Sequence, residues 1–207
     1  MNSNIKFVFD LDGTLTKQET LPLIANTFKI TEKIEKLTKE TISGNVPFIE
    51  SFIKRVNILG ELPVSEVSKL LHSTEIYPEI HKFIQKNLDK CVIATGNLDC
   101  WISELAQKIG CELFCSSAEV TNNSVTKITK ILRKESVVSF LQQQGAFVVF
   151  IGDGNNDMEA MRTANISIAC ALTHRPANSV LSIADYLVHS EDSLCRLTNQ
   201  LLSVVPE

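Results

Sequence analysis

Residues 5–16, IKFVFDLDGTLT, join a short apolar run to two carboxylates at its end. The run predicts a buried β-strand, and Asp10 and Asp12 lie where that strand stops. A buried charge is costly unless it is paired, hydrogen-bonded or bound to a metal ion. Because residues two apart in an extended chain point to the same side, both carboxylates can face one ligand. The stretch therefore predicts a strand whose carboxyl end carries a functional site.

Other segments along the chain have the same buried-strand character, and helical patterns separate them. Continuous apolar runs of this kind are typical of a parallel sheet that is covered on both faces. The alternation predicts an α/β fold with a doubly wound, Rossmann-like parallel sheet. The further predicted strands are KCVIATG (90–96), AFVVFIGDG (146–154), ISIACA (166–171) and, near the C-terminus, ADYLV (184–188).

Residues 17–72 interrupt this alternation with three helical patterns and no convincing strand. We interpret them as a helical cap inserted after the first strand, with residues 1–16 and 73–207 forming the catalytic core. A cap at this place can act as a lid that excludes water and supplies selectivity. The three patterns are ETLPLIANTFK (19–29), TEKIEKLTKETISG (31–44) and PFIESFIKRVNILG (47–60).

Composition and charge exclude several classes of function. The 207 residues include 44% hydrophobic and 21% charged residues, with a net charge of -4. This balance gives no electrostatic argument for nucleic acid or for an acidic membrane surface. The apolar runs are shorter than the roughly 18 residues of a membrane span, and the N-terminus does not resemble a signal peptide. Six cysteines without a Cys-x-x-Cys pair indicate buried thiols. We expect a cytoplasmic monomer or homodimer without nucleic-acid or membrane partners.

The polar residues at the predicted strand ends suggest one reaction centre. Ligands of open α/β sheets bind outside the carboxyl ends of the strands. Four aspartates with one lysine leave excess negative charge, which a hard cation such as Mg²⁺ can balance. Such a site can bind a phosphoryl group, and an aspartate can serve as the nucleophile. The residues are Asp10, Asp12, Thr95, Lys134, Asp153 and Asp157.

The order Asp-x-Asp, Thr-Gly, Lys and Gly-Asp-Gly-x-x-Asp resembles the haloacid dehalogenase superfamily, in its phosphatase branch, over the whole chain. The resemblance implies that Asp10 is the nucleophile. It implies that Asp12 first protonates the leaving group and then activates water. Thr95 would bind a phosphoryl oxygen, and Lys134 would neutralise both the nucleophile and the phosphate.

The same resemblance implies a Mg²⁺ cofactor. The Asp10 carboxylate and the backbone carbonyl of Asp12 would bind the ion, Asp153 would be a direct ligand, and Asp157 would support the metal site.

Within the superfamily the chain most closely resembles phosphoserine phosphatases, largely through residues 17–72. By this resemblance Glu19 contacts the amine of the substrate, and Arg55 pairs with its carboxylate, a task that suits a planar bidentate donor. Phe48 lies in register with the cap pattern, and Asn156 matches an asparagine near the phosphate. The implied substrate is phosphoserine or a closely related small phosphorylated metabolite.

The chain departs from the phosphoserine pattern at the second motif. Thr95-Gly96-Asn97 stands where that family usually has Ser-Gly-Gly, and we expect all three residues to contact the substrate. Thr95 keeps the hydroxyl, whereas Asn97 places a side chain beside the amino-acid end of the substrate. The sequence leaves three consequences open: a narrower pocket, a different backbone conformation or a new contact. The segment between this motif and Lys134 is also short.

Other functions stay open at this stage. The substrate is alternatively another amino-alcohol or polyol phosphate, free or within a sugar-type conjugate. Transfer of the phosphoryl group to an acceptor other than water is a further alternative. A signalling receiver module is another alternative, but a receiver lacks the helical cap and lacks an aspartate placed next to the nucleophile as Asp12 is. A silent binding scaffold would not need the full catalytic set, and a dehalogenase would need no acid at Asp12.

Overall fold

The computed structural model describes residues 4–42 and 46–204, and its seven strands form one sheet. The order across the sheet is β4-β3-β2-β1-β5-β6-β7, and every neighbouring pair is parallel except β3 with β4. The predicted α/β class and its parallel sheet are therefore confirmed. The strands are β1 (Ile5–Phe9), β2 (Cys91–Leu98), β3 (Glu112–Thr121), β4 (Ser124–Lys130), β5 (Phe147–Gly152), β6 (Ile166–Cys170) and β7 (Tyr186–Val188).

Ten α-helices lie in the described part of the chain, and two short 3₁₀ turns occupy Leu88–Lys90 and Asn155–Asp157. Gly110 ends one helix with a φ of 90°, a left-handed conformation that glycine adopts at low cost. The helices are α1 (Thr20–Thr27), α2 (Thr31–Ile42), α3 (Phe48–Leu59), α4 (Val64–His72), α5 (Pro78–Lys86), α6 (Asp99–Ile109), α7 (Lys134–Gln143), α8 (Met158–Thr163), α9 (Asn178–Leu181) and α10 (Glu191–Val204).

Helices cover both faces of the sheet, as the continuous apolar strands predict. Phe7 and Phe9 of β1 belong to a core cluster that contains residues of α5, α6 and α10. Val8, which points to the opposite face, belongs to a second cluster with residues of α7, α8 and α9. Full burial of side chains of this size contributes roughly 1.5–3 kcal/mol each. Helices therefore pack on both faces of the sheet, and loops lie at the edge formed by the carboxyl ends of its parallel strands.

The segment predicted as a cap contains four helices, α1 to α4, one more than the three sequence patterns. Apolar residues from these helices, such as Ile24, Val56 and Leu71, belong to the same core cluster as Phe7 and Phe9. At the far end of α4, His72 contacts α6, because its carbonyl accepts a hydrogen bond from Lys108. The helical character of residues 17–72 agrees with the sequence, whereas their treatment as a separate domain stays a prediction.

The β3–β4 hairpin is another element that the sequence patterns missed. Its turn residues, Asn122 and Asn123, both have positive φ, at 51° and 66°. A two-residue turn of this kind favours asparagine and glycine, so Asn-Asn between Thr121 and Ser124 was the available signal. The hairpin escaped detection because most side chains of β4 are exposed or half-buried and form no apolar run. Its tip reaches the α3–α4 junction, where Val64 N–H donates to Asn123 O (2.7 Å).

Candidate active site at the carboxyl edge of the sheet

The predicted strand-end residues meet at one edge of the sheet because β1 lies between β2 and β5. Asp10 follows β1 directly, and its N–H donates to Ile151 O of β5 at 2.8 Å. Thr95, Gly96 and Asn97 lie near the end of β2, and Asp153 follows the last residue of β5. The topology thus places residues from distant parts of the chain around Asp10.

Lys134 is buried at the start of α7, between two carboxylates. Its Nζ lies 2.6 Å from Asp10 Oδ1 and 2.5 Å from Asp157 Oδ1. A cation at a helix N-terminus is unfavourable in the field of the helix dipole. Burial lowers the pKa of Lys134, but the two carboxylates outweigh burial and raise this pKa overall. The lysine is therefore charged, and its position is determined by Asp10 and Asp157.

Asp157 organises the loop that follows β5. Its Oδ2 accepts hydrogen bonds from the N–H groups of Asp153 (2.9 Å) and Gly154 (2.8 Å). A Cβ atom at Gly152 would lie 2.5 Å from this oxygen, so a side chain at residue 152 would displace the carboxylate. Because both of its oxygens already accept hydrogen bonds, Asp157 is suited to support its neighbours.

Asp10, Asp153 and Asp157 form a buried cluster that could hold a metal ion, since one oxygen from each lies within 4.8 Å of the others. Burial raises the pKa of Asp10 well above its usual range, and the Asp157 carboxylate adds to this effect. Burial and Asp157 also raise the pKa of Asp153 to about 7. Three carboxylates facing the single ammonium of Lys134 fit a hard divalent cation with oxygen ligands.

Asp12 has a different environment from Asp10. Its Oδ1 accepts the N–H of Thr20 at 2.8 Å, and its Oδ2 accepts the side-chain amide of Asn97 at 2.8 Å. Burial, followed by repulsion from Glu19, raises the pKa of Asp12 to about 6. Asp10 therefore lies against an ammonium group, whereas Asp12 is held by neutral donors.

The other predicted substrate contacts lie around this edge to different degrees. Thr95 is fully buried and its Oγ1 accepts the N–H of Asn97 at 3.2 Å. No heavy atom lies within 4 Å of the position that a Cβ would take at Gly96, so the space beside it is open. Asn156 is half-buried in the turn that contains Asp157. The side chain of Phe48 lies outside the part of the chain that the structure describes.

Glu19 lies beside the acidic cluster, where it contacts a histidine. Its Oε1 is 2.9 Å from His174 Nε2, and the same nitrogen is 3.2 Å from Asp153 Oδ2. The hydrogen bond to Glu19 raises the pKa of His174 to about 9. The three groups meet next to Gly13, which has a φ of 72° and where a Cβ would lie 2.9 Å from Glu19 Oε1.

Arg55 comes to the site from α3. Its Nε donates to Ser51 O at 3.3 Å. Burial lowers the pKa of Arg55, while the carboxylates of Glu19 and Asp12 act in the opposite direction. The guanidinium therefore lies within electrostatic range of both acidic side chains, and its pairing with a substrate carboxylate stays a prediction.

Sequence reasoning missed three polar groups of this site. His174 follows β6, and the four histidines are too scattered along the chain for their spacing to indicate a site. Thr14 Oγ1 donates to Asp153 Oδ1 at 2.9 Å, and Thr20 donates to Asp12 through its N–H. The position of His174 after a strand that ends at the same edge was the available signal.

No helix in the described ranges has the length and apolar character that crossing a membrane requires. This finding agrees with the short apolar runs of the sequence.

Comparison with known proteins places these features in a family. Residues 7–165 match haloacid dehalogenase-like hydrolases. A phosphoserine phosphatase from Methanocaldococcus jannaschii is 28% identical over 180 residues, covering 79% of this chain and 84% of that protein. One from Saccharomyces cerevisiae is 27% identical over 208 residues, covering 87% of this chain and 67% of that protein. A substrate-bound phosphoserine phosphatase structure shares the fold with a TM-score of 0.79, at 22% identity over 100% of both chains.

The family match covers most of the chain, including Asp10 after β1 and the loop that contains Asp157. It confirms the resemblance that the sequence motifs indicated. The chain therefore belongs to the haloacid dehalogenase-like hydrolases, and it is an enzyme similar to phosphoserine phosphatases.

Proposed function

We propose that this protein is a Mg²⁺-dependent phosphomonoesterase that works through an aspartyl-phosphate on Asp10. The observation that carries the proposal is the position of Lys134, whose buried ammonium bridges Asp10 and Asp157. Such a charge holds the nucleophile in place and can balance the charge of an incoming phosphoryl group. Phosphoryl transfer depends mainly on this kind of positioning and charge stabilisation.

In the first step the Asp10 carboxylate attacks phosphorus, and an oxygen–phosphorus bond forms. The bond from phosphorus to the ester oxygen breaks, and its electron pair goes to that oxygen. Asp12 donates its proton to the leaving oxygen, which departs as an alcohol. The raised pKa of Asp12, about 6, supports this role because an efficient general acid and base has a pKa close to the operating pH.

In the second step Asp12, now a carboxylate, accepts a proton from water. The water oxygen attacks phosphorus, and the bond between phosphorus and Asp10 breaks with its electron pair returning to the carboxylate. Inorganic phosphate leaves, and Asp12 again holds a proton. The buried Thr95 is suited to donate its hydroxyl to a phosphoryl oxygen during both steps.

Asp10 and Asp153 would hold the Mg²⁺ ion together with the backbone carbonyl of Asp12, while Asp157 keeps Asp153 and Lys134 in place. When bound, the ion supplies positive charge that neutralises the phosphoryl oxygens and the carboxylates. The raised pKa values of Asp10 and Asp153 support this assignment, because burial and then repulsion from Asp157 disfavour their ionised forms, and a divalent cation offsets both effects.

The preferred substrate in this proposal is phosphoserine or a closely related small metabolite, handled in the cytoplasm. The guanidinium of Arg55 is a suitable partner for a carboxylate at the far end of the substrate. The carboxylate of Glu19 is a suitable partner for an amine. Residues 17–72 then act as the cap over this end of the pocket. The similarity to phosphoserine phosphatases points the same way.

One observation favours a second substrate class, the phosphates of small polyols or other amino alcohols. Glu19 Oε1 is already in contact with His174, at 2.9 Å. A substrate ammonium group would have to share or replace that contact. A hydroxyl-bearing substrate needs no anionic partner at this place.

A panel of phosphorylated metabolites tests the proposal, with phosphate release measured in the presence of Mg²⁺. The panel includes phosphoserine, polyol phosphates and an aryl phosphate without a carboxylate. We expect the Arg55→Ala variant to raise the KM for phosphoserine roughly tenfold or more, because a bidentate ion pair to the substrate is lost. The KM for the aryl phosphate should change little.

Lys54→Ala is the matched control, since Lys54 is a neighbouring cation on α3 that pairs with Glu50. It should leave both KM values unchanged. Equal changes for the two substrates in Arg55→Ala would mean that Arg55 does not bind a carboxylate. Absence of Mg²⁺-dependent phosphate release from every phosphate ester would contradict the phosphatase itself.

A further inference from the structure

Asn97 is the residue at which this chain departs from the usual second motif, and its side chain is bound inside the site. The residue is 4% exposed. Its Nδ2 donates to Asp12 Oδ2 at 2.8 Å and to Thr20 Oγ1 at 2.7 Å. The two hydrogens of the amide are thus both used, one on the carboxylate and one on the start of α1. Of the three consequences left open by the sequence, the structure contains the new contact.

The backbone conformation at residue 97 does not require an asparagine at this position. Among the described residues other than glycine, positive φ occurs at Lys29, Asn122 and Asn123, so residue 97 does not have the left-handed conformation that favours glycine. The pairing of β2 with β3 is irregular between Ala94 and Leu98, which frees this stretch from a regular ladder. A glycine or another small residue would therefore be tolerated here.

The orientation of the Asn97 amide is set by Asp12. Reversing the amide would place Oδ1 against Asp12 Oδ2, and two acceptors would face each other. In the observed orientation Oδ1 is buried with no hydrogen-bond partner among the described residues. An unpaired buried carbonyl destabilises the protein, and the hydrogen bond that the amide donates to the Asp12 carboxylate offsets this cost.

Asp12 is held at both oxygens by groups that come from different elements. Thr20 N–H, at the start of α1, binds Oδ1, and Asn97, at the end of β2, binds Oδ2. Donors at both oxygens restrict rotation of the carboxyl group about its last torsion. The carboxyl plane is then fixed relative to the phosphoryl site before the substrate arrives.

We infer that Asn97 is a positioning residue that fixes the carboxyl plane of Asp12 for proton transfer to the leaving oxygen. The inference rests on the proposed acid role of Asp12. If the inference holds, loss of the Asn97 side chain slows the breaking of the ester bond. The effect is largest for leaving groups that need a proton. An alkoxide needs the proton, whereas a nitrophenolate is stable without it.

The experiment compares kcat/KM for an alkyl phosphate, such as phosphoserine, with that for p-nitrophenyl phosphate. For each substrate, kcat/KM depends only on the steps up to loss of the leaving group. The later hydrolysis of the aspartyl-phosphate therefore does not affect it. General acid catalysis contributes roughly 10²–10⁴-fold, and we expect Asn97→Gly to lose about 10- to 100-fold on the alkyl ester. The value for p-nitrophenyl phosphate should stay near that of the unmodified protein.

Asn97→Leu keeps an uncharged side chain of similar size but removes the amide donor. It should show the same selective loss, and it preserves the test if Asn97→Gly does not fold. Equal losses on both substrates in the folded variants would overturn the inference, because a general disturbance of the site affects both leaving groups.

Asp12→Asn separates this inference from the proposed function. A selective loss on the alkyl ester in Asp12→Asn supports the acid role. If Asp12→Asn is selective while the Asn97 variants are not, the inference about Asn97 is wrong and the acid role stands. If Asp12→Asn slows both substrates equally, the acid role itself is wrong, and the inference is wrong with it.

Discussion

Two aspartates of one short stretch acquire different properties from their surroundings. Asp10 lies against the ammonium of Lys134, at 2.6 Å, and is surrounded by other carboxylates. Asp12 is bound by the amides of Thr20 and Asn97. An enzyme that uses one carboxylate as a nucleophile and the other as an acid needs such unlike environments. At the scale of single residues, the neighbours of each carboxylate therefore support the proposed division of roles.

Asp10→Asn should abolish turnover while the fold is retained. The amide is similar in size to the carboxylate, but it cannot act as the anionic nucleophile. We expect a fall in kcat of at least about 10⁴-fold, typical of the loss of a nucleophile. The measurement is phosphate release under saturating Mg²⁺, with circular dichroism as the test of folding. Activity near that of the unmodified protein would exclude Asp10 as the nucleophile.

At the scale of elements, the β3–β4 hairpin supplies hydrogen-bond partners for the start of α4. The first N–H groups of a helix have no partner within the helix. The N-cap residue Pro63 has no side-chain cap, and Asn123 takes over this function from a distant part of the chain. Its carbonyl accepts Val64 N–H at 2.7 Å, and its Oδ1 accepts Ser65 N–H at 3.0 Å. The hairpin that the sequence patterns missed thus stabilises the last helix of the predicted cap.

Asn123→Ala should loosen the start of α4 more than Asn122→Ala does. Both residues have positive φ, so alanine costs about 1 kcal/mol at either position. The Asn123 side chain also bonds Ser65, through Ser65 N–H and Ser65 Oγ, and loss of both bonds should add about 1–2 kcal/mol. Faster hydrogen exchange at the Ser65 amide, by roughly tenfold relative to Asn122→Ala, is the expected readout.

Asn122 is the matched control because its side chain makes no hydrogen bond within the described ranges. Similar exchange rates at Ser65 in the two variants would show that backbone strain, and not the Asn123 cap, controls the start of α4.

At the scale of the whole molecule, the sheet brings carboxylates from two separate stretches to one edge. Asp10 and Asp12 follow β1 and Asp153 follows β5, and these two strands are parallel neighbours, so the three side chains meet at one end of the sheet. The raised pKa values show that their charges are unfavourable in the protein without a cation. Burial and repulsion between carboxylates thus both disfavour the ionised forms at this edge, and a bound Mg²⁺ ion is expected to offset them.

The metal-free protein should become less stable as the pH rises from about 5 to about 8. The pKa of Asp12 is raised to about 6 and that of Asp153 to about 7, so the folded state holds more protons than the unfolded state across this window. Stability then falls with rising pH. His174, with a pKa raised to about 9, acts in the same direction above its unfolded value. Thermal melts with a chelator at about pH 6 and about pH 8 measure the effect.

Saturating Mg²⁺ should raise the Tm most at the higher pH, because the ion balances the carboxylates that are then ionised. Asp153→Asn should weaken both the pH dependence and the Mg²⁺-induced shift, since it removes one of the repelling charges and one of the proposed ligands. A metal-free Tm that rises with pH over this window would contradict the account.

The chemistry and the class of fold could be predicted from the sequence because their signals are local. Buried strands appear as continuous apolar runs, and the motif residues at Asp10, Thr95 and Asp153 follow those runs directly. Lys134 needed the order of the motifs, since a single lysine at the start of a helix has no signal of its own. The roles of Glu19 and Arg55 came from the register of the cap pattern, and they stay predictions.

The remaining features depend on contacts between residues far apart in the chain. Asn97 lies 85 positions from the Asp12 carboxylate that it binds, and His174 lies 155 positions from Glu19. No periodicity or spacing encodes such pairs, because they arise only when parallel strands bring their carboxyl ends to one edge. The sequence by itself therefore determined the class of fold, the family and the candidate catalytic groups. The tertiary structure determined which neighbours orient these groups and shift their pKa values, since hydrogen bonds and pKa values depend on distances in space.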